Sequence, residues 1–333
     1  MINDFIKHTK DENCLHVFLI NNPFTSIISR MIIDAYEIKE CNVFSVSIRN
    51  TDTSLVSKES FIVKMSFFDR FLIKFFRRSP QANRLLKDLS KKKKKFFLYT
   101  SWAYEESITN SDGLKVANSH PSVQKLLSSD LCMGHAYIEE GQLTHRPSKP
   151  YEPKDRQRLH DEYIMKFDGQ FRDDEHRLEN RLYYRSDAYA FIGAVEGAFP
   201  SAPQDKRIIL KNYNAPKEHY APFLLGTKMI GLTCAERRLS NNQWQTMLKK
   251  LISQMPNGGV IKLHPSFITD SEKNRKIKTI FNQIAPPNVD LCDDDAIIEI
   301  EMLFESKVLI GSLTSLRKYA DAFGSEFINL ELY

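Results

Sequence analysis

From residue 228 to 330 the sequence alternates short apolar runs with amphipathic stretches, and no other feature restricts the fold as much. The runs at 228–233, 260–263, 289–292, 307–311 and 326–330 are too short for helices. Their near-continuous apolar character reads as strands buried on both faces. Between them, helical periodicity covers 242–255, with Ser240 or Asn241 as cap, then 271–285, stopped by Pro286-Pro287, then 296–305 and 316–323. Strand-helix alternation of this kind predicts a parallel, Rossmann-like sheet with crossover helices.

The amino-terminal part repeats the scheme. An apolar strand over 15–20 meets a turn at Asn21-Asn22-Pro23, and a helix follows from about residue 25 to 37 with Ile27, Ile28, Met31, Ile32 and Ala35 on one face. Further strands are predicted at 42–47, 96–102, 135–138 and 189–193. The first strand-helix turn lacks Gly-x-Gly-x-x-Gly, which argues against a dinucleotide cofactor. A chain of 333 residues is long for one core. The small residues and two prolines of 197–206 mark the expected linker between an amino-terminal domain, 1–196, and a carboxyl-terminal domain, 207–333.

Other classes are disfavoured. No stretch of about 18 apolar residues is present to span a bilayer. The start, Met1-Ile2-Asn3-Asp4-Phe5, carries an acid early and lacks a signal-peptide core. Five scattered cysteines suit reduced thiols in a cytoplasm rather than disulfides or a zinc site. The net charge of +5 is concentrated in residues 64–97, where Arg70, Lys74, Arg77, Arg78, Arg84, Lys87 and Lys91 to Lys95 interleave with Phe67, Phe68, Phe71, Leu72, Phe75 and Phe76. That segment reads as an amphipathic helix packing its aromatics inward before a solvated lysine loop. The sharper alternative is a surface resting on anionic lipid. Nucleic acid ranks last, because no recognised nucleic-acid module accompanies the charge.

Three short motifs carry the chemistry. Gly258-Gly259 turns the chain into a strand that delivers His264 and Pro265 at its carboxyl end, where open α/β sheets bind ligands. Glu139-Glu140-Gly141 places adjacent carboxylates after another strand, a pattern suited to a general base. Alternation along a strand turns the two apart, so only one can serve. Ser312-Leu313-Thr314-Ser315 sets three hydroxyls between a strand and a helix, an arrangement suited to a phosphate. Gly231 and Thr233, ending the second domain's first strand, are candidates for the same phosphate or nucleoside site. Glu299 or Glu301 is a candidate for ribose hydroxyls, and Asn21 and Asn22 for the cleft. The polar stretch 146–181 reads as a long loop serving as a lid. Asp293-Asp294-Asp295 reads as acids at a helix start rather than a metal site.

In order and spacing, Glu139-Glu140-Gly141, His264-Pro265 and Ser312-Leu313-Thr314-Ser315 resemble the D/E-D/E-G, His-Pro and Ser/Thr motifs of bacterial GT-B sialyltransferases of the lipooligosaccharide and polysialic-acid type. The Ser/Thr motif departs from their adjacent serine pair, and the lysine-rich insertion has no counterpart in the shared pattern. The resemblance implies two Rossmann-like domains facing a central cleft, CMP-sialic acid as donor, inversion at the anomeric carbon and no metal or other cofactor. It implies a base at Glu139 or Glu140, with the analogy favouring Glu139. It further implies His264 on the departing phosphate, and Pro265, Ser312, Thr314 and Ser315 around it. The acceptor suggested is a galactose-terminated, lipid-linked or surface glycan. The expected location is the cytoplasm, with peripheral contact between the Arg70–Lys95 region and the anionic inner membrane, and no nucleic acid as partner. A GT-B transferase using CMP-Kdo or a nucleoside-diphosphate sugar, and a non-catalytic glycan- or nucleotide-binding protein, are the alternatives.

Overall fold

A computed structural model describes residues 2–48, 51–64, 66–67, 69, 71–72, 79–101, 105–109, 115–119, 121–145, 187–210, 224–234, 239–264, 267, 271–292, 296–312 and 316–331. The chain divides into two compact α/β units, Met1–Ala215 and Pro216–Tyr333. Each is built on its own all-parallel sheet, as the strand-helix alternation predicts.

The first unit contains helix α1 (Ile2–Thr9), β1 (Cys14–Ile20), α2 (Pro23–Ala35), β2 (Val43–Ser47), β3 (Ser60–Ile62), α3 (Pro80–Lys91) and β4 (Lys95–Ser101). It continues with β5 (Glu105–Thr109), β6 (Lys115–Ser119), α4 (Pro121–Leu127), β7 (Cys132–Ile138), β8 (Ala190–Gly193) and β9 (Arg207–Ile209). Seven strands form the sheet in the order β3-β2-β1-β4-β7-β8-β9, while β5 and β6 make a separate antiparallel pair that the sequence reading did not foresee. Every residue of β1 is buried, because helices cover both faces of the sheet. On one face Leu15, Val17 and Leu19 pack with Leu85 and Leu89 of α3 and Val123 and Leu126 of α4. On the other, Phe18 stacks on Tyr99 with ring centroids 4.1 Å apart, and Tyr99 lies edge-on to Phe5 of α1.

The domain boundary differs from the expected one. Segment 197–206 lies inside the first unit, and β9, just beyond it, pairs with β8 from Phe191↔Arg207 to Gly193↔Ile209. Two prolines and small residues there serve a tight connection between neighbouring strands, with the division falling after Ala215.

The basic segment also differs. Helix α3 begins at Pro80, is capped by the Ser79 hydroxyl on Ala82 N, and turns Leu85 and Leu89 to the core. Phe67 is 87 % exposed and Phe71 40 % exposed, so these two aromatics do not pack inward. The lysine run starts on the last residue of α3 and ends on the first of β4, and between them Lys94 Nζ donates to Glu12 O at 2.9 Å and Asn42 Oδ1 at 2.7 Å. Cations there suit the negative end of the helix dipole. Arg70, Lys74, Arg77, Arg78, Phe68, Phe75 and Phe76 lie outside the described residues, as does the expected lid 146–181. No helix among the described residues is long and apolar enough to cross a membrane.

The second unit carries β10 (Met229–Leu232), α5 (Asn241–Ser253), β11 (Gly259–Lys262), α6 (Ser271–Ile284), β12 (Val289–Cys292), α7 (Ile298–Phe304), β13 (Val308–Gly311), α8 (Leu316–Phe323) and β14 (Glu326–Asn329). Its strand order is β12-β11-β10-β13-β14. The capping box of Ser240 and Gln243 starts α5, whose Trp244, Met247, Leu248 and Leu251 join Ile261, Leu263, Phe267 and Phe281 in one core.

The interior of the first unit holds one titratable group that tests its packing. His16 is fully buried on β1, with Nδ1 3.0 Å from the Tyr99 hydroxyl and Nε2 without a hydrogen-bond partner. Burial, assisted by the His8 charge, pushes its pKa down to about 4. The unfolded chain takes up that proton near pH 6.5, so the neutral native state is favoured fully above 6.5 and progressively less as pH falls towards 4. At about 1.4 kcal/mol per pH unit, the contribution is on the order of 3 kcal/mol. Urea unfolding at pH 7 and pH 4.5 should show this loss in the wild type and a shallower slope in His16→Phe. Equal slopes would contradict the assignment.

Candidate functional site

In each sheet the first strand sits centrally. The chain builds outward from β1 through β2 and β3, then returns to its other side with β4, and does the same around β10 with β11 and β12, then β13. At such a reversal the loops leaving neighbouring strands diverge, and the carboxyl ends open a crevice. Asn21, Asn22 and Glu140 lie at the first of these points, and Thr233, His264 and Ser312 at the second, within their respective units.

In the first unit the reversal lies between β1 and β4. Glu140, just beyond β7, extends its carboxylate towards it, and Oε2 accepts from Asn21 Nδ2 at 3.1 Å and Ser101 Oγ at 3.0 Å. Asn21 follows β1 and Ser101 ends β4, so one carboxylate oxygen is fixed from both strands of the reversal. Asn22 caps α2 through a capping box with Thr25, and its Nδ2 donates to Glu140 O at 3.1 Å. Asn21 and Asn22, expected as direct contacts of the cleft, are thus engaged in holding Glu140. Gly141 follows with φ +122°, a conformation that L side chains rarely adopt, and lets the chain leave the strand sharply enough for Thr144 Oγ1 to accept from Glu140 N at 3.2 Å.

The two carboxylates have different surroundings. Glu139 is fully buried, with Oε1 2.7 Å from His145 Nε2 and Oε2 accepting from Ala194 N at 2.7 Å. An ionised Glu139 only accepts, which puts a proton on His145 Nε2. Gly193 makes room for this group, since a Cβ there would stand 2.9 Å from Glu139 Oε2. Glu140 retains 8 % exposure. His145 and Gly193 were missed in the sequence; the only signal was a histidine six residues after Glu139.

In the second unit the reversal lies between β10 and β13. Thr233 follows β10, and its Oγ1 accepts from His264 N at 2.9 Å while lying 3.4 Å from Lys262 O, to which it donates. This joins the end of β10 to the turn after β11 and fixes the backbone from which His264 projects. The His264 ring is half-buried and lies edge-on to Phe267 at 6.4 Å. Leu232 pairs with Gly311, so Ser312 leaves β13 beside Thr233. His264, Thr233 and Ser312 therefore follow three adjacent strands at one edge. Pro265, Thr314, Ser315 and the Asp293–Asp295 run lie outside the described residues.

Two other candidates are placed elsewhere. A Cβ at Gly231 would stand 2.6 Å from Met255 Cε and 3.2 Å from Ile261 Cγ1, so this glycine serves close packing behind the strand. Glu301 is buried against Lys307 Nζ at 3.0 Å and accepts from Leu225 N, which leaves it a structural partner rather than a group for ribose. Glu299 is half-buried in the first turn of α7. Among the described residues no three His, Cys, Asp or Glu side chains gather as a metal site.

The difference between the carboxylates has a measurable consequence. Glu139→Ala would strand a buried histidine and a backbone N–H, and is expected to lower unfolding free energy by about 3 kcal/mol. Glu140→Gln, which keeps the shape and some residual solvent contact, should cost about 1 kcal/mol or less. Urea denaturation checks both, and equal losses would contradict the separate roles.

No family model matches the chain, and no curated protein matches it. Solved structures with a similar trace include MnaA of S. aureus in complex with UDP, at 10 % identity and a TM-score of 0.47, covering 96 % of this chain and 79 % of that one. UDP-GlcNAc 2-epimerase from Neisseria meningitidis bound to UDP-GlcNAc is similar at 12 % identity and a TM-score of 0.47, covering 95 % and 82 %. Anabaena Alr3699/HepE in complex with UDP and glucose is similar at 11 % identity and a TM-score of 0.44, covering 96 % and 81 %.

Proposed function

We propose that the protein is a glycosyltransferase that uses a nucleotide sugar, with acceptor activation assigned to the first unit and donor phosphate binding to the second. The observation that carries this reading is the pair of polar clusters at the sheet reversals: a fixed carboxylate in one unit, and a histidine with hydroxyls in the other. Glycosyl transfer by displacement needs both, a base for the attacking hydroxyl and a cationic or hydrogen-bonding seat for the leaving phosphate.

In this reading Glu140 removes the proton from an acceptor sugar hydroxyl as that oxygen attacks the anomeric carbon, which inverts its configuration. The glycosidic bond to the phosphate breaks, and the nucleotide leaves with the electron pair. His264 donates a hydrogen bond to the departing phosphate, and Ser312, with Thr314 and Ser315 of the same motif, holds its oxygens. Thr233 acts through the His264 turn, because its hydroxyl is engaged with the backbone on both sides. Glu140 is preferred over Glu139, which the motif analogy favours, because both Glu139 oxygens are occupied inside the protein. Glu139 and His145 then serve as the positioning pair.

The narrower donor is CMP-sialic acid, which rests on the motif resemblance and whose monophosphate leaving group needs less neutralisation than a diphosphate. A nucleoside-diphosphate sugar is the alternative, the class represented by the UDP and UDP-GlcNAc held in two of the similar structures. The acceptor is a lipid-linked or surface glycan, and the protein works against the inner face of the membrane. The exposed Phe67 and Phe71, within a segment of many Lys and Arg, support such a contact.

Nucleotide release should be followed from CMP-sialic acid, CMP-Kdo and UDP-GlcNAc with galactose-terminated acceptors. Glu140→Gln should lower transfer at least about 100-fold while leaving nucleotide affinity unchanged. Normal turnover by Glu140→Gln would remove it as the base, and turnover with UDP-GlcNAc alone would replace the donor.

A further inference from the structure

A pocket lined by polar residues stands apart from both clusters. Residues 51–58 of the connection between β2 and β3, with the ends of both strands, line an open pocket of about 360 Å³, a volume in the range of small-molecule sites. Its wall includes Ser47, Thr51, Asp52, Ser57, Lys58 and Ile62. Ser47 and Ile62 end their strands, so the cavity reaches the carboxyl edge of the sheet. Ser47 pairs with Ile20, the residue before Asn21, and one strand spacing of about 5 Å separates the two. The cavity wall thus begins beside the strand that supplies Asn21 to Glu140.

Four of the six hydroxyls on its wall, all but those of Thr53 and Ser60, donate to other groups of the protein. The Ser47 hydroxyl donates to Thr51 O at 2.6 Å, Thr51 to Ile48 O at 2.9 Å, and Ser57 to Val43 O at 3.0 Å. Ser54, also on the wall, donates to Asp52 Oδ2 at 3.0 Å. Four hydroxyl protons are therefore committed to the protein, and what these oxygens can offer a guest is lone pairs. Asp52 adds a carboxylate, and Lys58 is the cation among the described residues of the wall. On the described wall an anion would meet the Asp52 carboxylate and the committed hydroxyls, with Lys58, Thr53 and Ser60 as the groups left to donate. A neutral molecule with many O–H donors would be matched, and the 49 % exposed Ile62 offers an apolar surface to the C–H face of a sugar ring.

The geometry points to this cavity as a saccharide subsite that holds a non-reacting part of an oligosaccharide acceptor, whose terminal residue is presented to Glu140. The assignment rests on the transferase reading for its role, and on the hydrogen-bond pattern for its ligand class. Binding energy from such a remote sugar would favour longer acceptors over short ones.

The test is calorimetric titration of the full chain with lactose and with the galactose-terminated tetrasaccharide lacto-N-neotetraose, with CMP and UDP titrated in parallel. Wild type should bind the tetrasaccharide about tenfold or more tightly than lactose. Ser60→Trp, on the exposed side of edge strand β3 and on the cavity wall, should fill the space and bring the tetrasaccharide to the affinity of lactose. Lys58→Ala, which removes one exposed donor without adding bulk, should give a partial loss in the same direction. Nucleotide affinity should not change in either variant. A tetrasaccharide advantage that survives Ser60→Trp and Lys58→Ala, or no tetrasaccharide binding by the wild type, overturns the subsite. A cavity-dependent advantage in a protein that binds neither CMP nor UDP supports the subsite while the transferase reading falls.

Discussion

The parallel pairing of a central first strand with later strands on both sides governs both units of this protein. Parallel neighbours need crossover connections, and a chain that begins in the middle must reverse its direction of building once. At the reversal, adjacent loops leave in opposite directions, and backbone and side-chain polar groups at the strand ends are left facing a crevice rather than a covering helix. Asn21 and Ser101 in one sheet, and Thr233 and Ser312 in the other, occupy these positions because β1, β4, β10 and β13 end there. Buried apolar strands set the place, and the residues following them set the chemistry.

Glu139 and Glu140 show how a two-residue motif acquires two roles. Successive side chains at a strand end point to opposite faces. Glu139 turns towards β8 and is enclosed by Gly193, Ala194 and His145, while Glu140 turns to the β1 and β4 ends. A carboxylate inside the protein needs partners for both oxygens, and Glu139 has them. Its enclosure steadies the backbone that carries Glu140. Gly141 then releases the chain into the turn that brings Thr144 and His145 back, so the motif and the four residues after it form one local unit.

Much of this was legible in the sequence because buried parallel strands leave a strong mark. The strands at 15–20, 96–102, 260–263 and 307–311 stand out as apolar runs, and β1, β4, β11 and β13 fall on them within a few residues. Short edge strands leave little mark: β3 and β9 have three residues each and are half-exposed, so neither carries a continuous apolar run. That is why 197–206 looked like a boundary when it joins β8 to β9. The exposure of Phe67 and Phe71 was equally hidden, since aromatic periodicity looks the same whether the apolar face meets a core or solvent. His145 was hidden for another reason. Its contact with Glu139 depends on a tight turn, and a lone histidine has no periodic signal.

The proposed transfer depends on the cluster around His264 seating a nucleotide phosphate. Calorimetric titration of CMP, UMP, UDP and GDP against the wild type and His264→Ala tests it most directly. Micromolar binding of one of these nucleotides, about 8 kcal/mol, is expected, weakened at least about tenfold in the variant. A nucleotide bound equally well by both proteins, or none bound by the wild type, would contradict it.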